Sequence, residues 1–105
     1  MPKYVVISNH PPNSCPSSNA KIRERGNKLG VEIPPLMKKH NIKAEVMVHL
    51  DPGHKLLWVL EAPNSEAVRD MIYDGGFHQY NDFEFYMAST LEEVTSWTEK
   101  LPTIF

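Results

Sequence analysis

Two alternating runs, Lys43 to Leu50 and Lys55 to Ala62, flank Asp51-Pro52-Gly53-His54, and no other feature of the chain constrains its fold as strongly. In the first run Ala44, Val46, Val48 and Leu50 share one face, while Glu45, Met47 and His49 share the other. In the second, Leu56, Trp58 and Leu60 oppose Leu57, Val59 and Glu61. A period of two is the geometry of a strand. Between the runs, proline presets φ and glycine admits positive φ, which suits a turn. The segment therefore predicts a β-hairpin.

The rest of the chain predicts two helices and two strands around this hairpin, with a third helix at the C-terminus. Tyr4-Val5-Val6-Ile7-Ser8 is β-branched and apolar and is stopped by Asn9-His10-Pro11-Pro12. Ser17, Ser18 or Asn19 caps a helix running through Ala20, Ile22 and Leu29. Gly26 and Gly30 weaken it, and Pro34-Pro35 is expected to break or restart it, leaving Leu36 to His40 as a short second piece ended by Asn41. Asn64 or Ser65 caps a helix with an apolar stripe through Ala67, Val68, Met71 and Ile72, ended by Gly75-Gly76. Phe83 to Ala88 is a fourth alternating strand. Thr90-Leu91-Glu92-Glu93 has the spacing of a capping box and opens a last helix through Val94, Trp97 and Leu101, closed by Pro102.

The order is β-α-β-β-α-β with a terminal helix, which predicts one ferredoxin-like α+β domain over residues 1–105: an antiparallel sheet with helices on one face. The second face would expose Met47, Leu57, Val59 and Tyr86, or their opposites in the other strand phase. An apolar patch of that kind marks an interface, and two copies packed sheet to sheet would bury it. The expectation is a homodimer. In element order, size and half-apolar second face the chain resembles the dimeric α+β barrel proteins, among them muconolactone-isomerase-like, cofactor-free monooxygenase-like and metal-binding members. The resemblance is architectural and transfers no catalytic signature to any residue here.

Composition narrows the partners. Net charge is −2, and Lys38-Lys39 is the longest basic run, which excludes a phosphate-binding surface and with it nucleic acid. No apolar run reaches the roughly 20 residues that span a bilayer. One cysteine forbids an internal disulfide, so a reducing, cytoplasmic setting is expected.

Candidate chemistry concentrates at one end of the predicted sheet. The first strand runs antiparallel to the third, so His10, at the end of one, should approach His54, at the start of the other. Cys15 follows on the same proline-rich loop, and His49 ends the partner strand. Imidazole and thiolate together suit zinc, nickel or copper, with Asp51 placed to orient a ligating histidine. The expected role is a small homodimeric protein that holds a transition metal or small ligand where the loop 9–19 meets the hairpin turn 49–54. A second reading is a cofactor-independent isomerase or monooxygenase-like enzyme working in a barrel cavity. Met47, Trp58 and Tyr86 would then contact the ligand, and Glu61 would move protons. Cys15, ahead of a helix N-terminus, is a candidate nucleophile, and His78, after Gly75-Gly76, a candidate acid or base. A third reading is a non-catalytic dimerisation module.

Overall fold

A computed structural model describes all residues 1–105 and shows an α+β architecture, a four-stranded antiparallel sheet with three α-helices. The elements follow as β1 (Lys3–Asn9), α1 (Ala20–Lys39), β2 (Lys43–Leu50), β3 (Lys55–Glu61), α2 (Ser65–Asp74), β4 (Asp82–Ala88) and α3 (Leu91–Thr98). Across the sheet the strand order is β2-β3-β1-β4. None of the helices is long and apolar enough to cross a membrane.

Alternation along β1 and β3 decides which side chains meet the helices. Tyr4, Val6 and Ser8 are buried and stand opposite Leu60, Trp58 and Leu56 in register. Apart from Ser8, these residues join Met37, Val68, Met71, Ile72 and Phe77 in the core between the sheet and the first two helices. The opposite face leaves Val46, Val48 and Tyr86 exposed and Val5, Leu57 and Val59 half-buried. Met47 is not on that face: it pairs with Trp58 and lies on the helix side. The reason is a bulge between Ala44 and Val46, which adds one residue and carries Ala44 to the side of Met47 and His49.

Asparagine and threonine supply the caps. Asn19 Oδ1 accepts from the Lys21 and Ile22 N–H groups, Asn64 Oδ1 from Ala67, and Thr90 Oγ1 from Glu93. The break expected at Pro34-Pro35 does not occur, and α1 is one helix of 20 residues. Both prolines face solvent, so the carbonyls of Gly30 and Val31 that lose their N–H donors can turn to water. The proline φ itself is helical. Asn41 then adopts φ 56° and turns the chain into β2. Lys39 and His40 both bond Asp74 at 2.7 and 2.9 Å, tying the end of α1 to the end of α2. The hydrogen bonds from Lys39 and His40 hold the Asp74 carboxyl below its ordinary range.

Glycine at position 75 is required by packing. A Cβ there would overlap the Phe77 ring and come within 2.9 Å of Leu36 Cδ2. Gly75→Ala is expected to cost about 1–3 kcal/mol, the usual penalty for overfilling a packed core. Gly26→Ala, whose Cβ would stand 3.8 Å from Pro16 Cγ, should instead stabilise α1 by about 0.5–1 kcal/mol. Urea unfolding followed by circular dichroism reads both, and a Gly75→Ala midpoint equal to the parent's would contradict the packing argument.

The last helix ends at Thr98, short of the expected Leu101, and two turn hydrogen bonds from Lys100 and Leu101 finish it. It contains no buried residue, and Leu91, Trp97 and Leu101 are exposed along it and just beyond. The radius of gyration is 16.3 Å, against about 13 Å for a globular chain of this length. The excess is what a terminal helix standing off the core produces.

Candidate metal centre

The loop leaving β1 is held by its own backbone. His10 N–H donates to His54 O at 3.0 Å, extending the β1–β3 ladder one residue past its last strand pair. A short 3-10 turn over Pro12–Ser14 follows, closed by Ser14 N–H to Pro11 O and Cys15 N–H to Pro12 O. Cys15 O then accepts from the Ser18 and Asn19 N–H groups, and Ser18 Oγ–H donates to Pro12 O. Arg23, on the first turn of α1, donates to Pro16 O and Ser17 O. Rigid prolines and these bonds fix Cys15 beside the strand ends.

One donor atom from each of His10, Cys15 and His54 lies within 4.8 Å of the others. His10 and Cys15 are buried and His54 is half-buried. The two imidazole ring centroids are 5.5 Å apart and the ring planes are inclined at 66°. His10 Nδ1 bonds Asn81 Oδ1 at 3.2 Å, and Asn81 Nδ2 is itself fixed by donating to Phe77 O. With Nδ1–H donating to an amide oxygen, the His10 lone pair is on Nε2. That Nε2 is buried and has no partner, and neither has His54 Nδ1. Burial pushes the His10 imidazole below its ordinary pKa, the neighbouring His54 and His49 act the same way, and the Asn81 contact opposes them. Cys15 Sγ shares a 2.9 Å hydrogen bond with Ser17 Oγ.

The fourth expected donor stands apart. His49 Nδ1 bonds Asp51 Oδ1 at 2.6 Å, and its ring centroid lies 6.5 Å from that of His10. Asp51 thus orients His49, while the residue that orients His10 is Asn81, which sequence pattern gave no means of finding across 71 positions. The residues expected to contact a barrel ligand are divided by the sheet. Trp58 is in the core, Met47 is on its side, and Tyr86 is on the far face with its hydroxyl donating to Glu84. Glu61 shares that far face at the strand end, opposite Lys3 and Lys43 in register. His78 packs edge-on against Tyr73 at 4.8 Å and is not among the clustered donors. Cys15 lies five positions before α1, and the Lys21 and Ile22 N–H groups at that helix start are taken by Asn19. The thiol therefore does not sit on free N–H groups, the geometry that a helix-activated nucleophile requires.

Beside the cluster is a cavity of about 190 Å³ between α1 and the sheet, reached by His10 and His49 from one end and walled by Ile22, Leu29, Leu56, Trp58, Phe77 and Phe83. Trp58 meets Phe77 and Phe83 edge-to-face or tilted at 5.6 and 6.1 Å. Compared with known proteins, the chain matches no family model, no curated protein and no solved structure.

Proposed function

We propose that the protein is a homodimeric, ferredoxin-like binding protein of the dimeric α+β barrel kind that holds one transition-metal ion per chain through His10 Nε2, Cys15 Sγ and His54 Nδ1. The observation that carries this reading is the pair of buried, partnerless imidazole nitrogens on two histidines whose donor atoms cluster with a buried thiol. An orphaned polar atom in a folded interior costs about 1–3 kcal/mol, and metal coordination removes that penalty at two atoms at once. Two nitrogens and a sulfur are the donor set for zinc, copper or nickel. The 4.8 Å spread is about an ångström wider than donors stand apart around tetrahedral zinc, a gap that side-chain rotation closes. Asn81 is the outer partner that fixes the His10 tautomer, and the Ser17 hydroxyl would donate to the thiolate.

Three protein ligands leave a position open, as catalytic and carrier sites do and closed structural sites do not. The dimer is supported by the apolar outer face of the sheet and by a terminal helix with nothing packed on it. A second copy would cover both.

The test is a titration of chelator-treated protein with zinc in competition with a chromophoric chelator, repeated with cobalt. One zinc per chain is expected, and cobalt should give the near-ultraviolet thiolate charge-transfer band that only a sulfur ligand produces. Zinc bound without that band would remove Cys15 from the site, and no binding in competition with the chelator would end the proposal.

A further inference from the structure

His10 reaches the cavity beside the His10–Cys15–His54 cluster, but the rest of that cavity's walls lie outside the donor set and specify a ligand of their own. We infer that it binds a neutral, single-ring aromatic compound carrying one hydroxyl group, with the ring among Trp58, Phe77 and Phe83 and the hydroxyl on Ser8 Oγ.

Size sets the first limit. At about 190 Å³ the cavity is below the roughly 300–1,000 Å³ of sites for drug-sized ligands. It is slightly larger than the about 150 Å³ apolar cavity that accepts benzene in an engineered protein. One ring with a small substituent fits, and a fused polycycle does not.

Charge sets the second. No lysine, arginine, aspartate or glutamate lines the cavity, so an ionised ligand would lose its hydration with nothing to offset the loss. Shape and polarity set the third. Trp58 meets Phe77 edge-on and Phe83 at a tilt, and a further ring can pack against such aromatic walls edge-to-face or offset. Ser8 lines the cavity, is 1% exposed, and its Oγ has no hydrogen-bond partner. Its neighbours across the ladder, Leu56 and Phe83, are apolar and offer it none. A hydroxyl on the ligand can both donate to and accept from a serine, and it satisfies an atom that the folded chain leaves unpaired. On the sheet wall of the cavity, between Leu56 and Phe83, this serine serves no packing purpose that alanine would not serve as well.

The inference goes beyond the metal reading and shares only His10 and its partner Asn81 with it, neither of which carries the proposed contacts, so the two fail separately. Phenol and toluene are titrated into chelator-treated protein and into zinc-loaded protein, with binding followed by calorimetry and by the Trp58 indole N–H resonance. Phenol is expected to bind in both forms with a shift of that resonance, and about tenfold more tightly than toluene. Ser8→Ala should erase the preference for phenol and leave toluene binding intact. Gly26→Leu, which places a side chain at the cavity wall on a helix that gains propensity from it, should abolish both. His54→Ala should lose zinc and keep phenol. Absence of phenol binding at millimolar concentration, or binding unaffected by Gly26→Leu, would overturn the cavity assignment. Equal phenol and toluene affinity in the parent, or a preference that survives Ser8→Ala, would overturn the role of Ser8. If Gly26→Leu does not fold, the Ser8→Ala comparison alone decides.

Discussion

His54→Ala and Cys15→Ser are each expected to weaken zinc binding by more than about 100-fold, since even the outer partners of metal ligands are worth about 10–100-fold. Losing one donor of three leaves two, too few to compete with water for the ion. His49→Ala should change the affinity by far less, because His49 Nδ1 is engaged by Asp51 and the ring stands outside the cluster. Competition titration with a chromophoric chelator measures all three. A loss in His49→Ala as large as in His54→Ala would put His49 in the coordination shell and displace His54 as the argued ligand. Stability of the metal-free variants supplies a second reading. His54 Nδ1 has no partner to lose, so His54→Ala should unfold at a urea concentration no lower than the parent's. A histidine kept only for structure would show the opposite.

The approach of His10 to His54 was legible because it follows from topology: β1 and β3 are antiparallel neighbours, and Asn9 pairs with Lys55. The helix caps and the hairpin were legible because their signals are local. Side-chain selection within the cluster was not. His49 and His54 are five positions apart around one turn, and only the aspartate beside His49 separates a carboxylate-held ring from one facing the thiol. Asn81 and Ser8 carry no pattern at all, since a tautomer-fixing amide and a partnerless hydroxyl are properties of packing. The phase of β2 was hidden by the bulge near Glu45, which moved Ala44 to the other face without any glycine to mark it. The proline pair misled for a different reason. A lost helical hydrogen bond is costly in the interior, and the helical pattern alone did not show that both prolines face water.

Val59→Lys is expected to convert a dimer into a monomer, weakening association by about 100-fold or more. Val59 lies on a central strand, flanked in register by Val5 and Val46, on the face turned away from the helices. In a two-fold contact one substitution is present twice, so two ammonium groups would enter the same apolar patch. A buried, unpaired charge costs several kcal/mol, and each 1.4 kcal/mol is a factor of ten in the dissociation constant. Light scattering over a range of concentrations should therefore give twice the chain mass for the parent and the single-chain mass for Val59→Lys. Val31→Lys, at a site 79% exposed on α1, should leave the dimer unchanged. The single chain exposes Val46, Val48, Leu50 and Tyr86 together on that face, and in the proposed dimer a second copy would cover them whether or not a metal is bound. Dimerisation should accordingly persist in chelator, which separates it from the metal site. A parent that runs as a monomer at every concentration would mean that some other molecule covers the sheet.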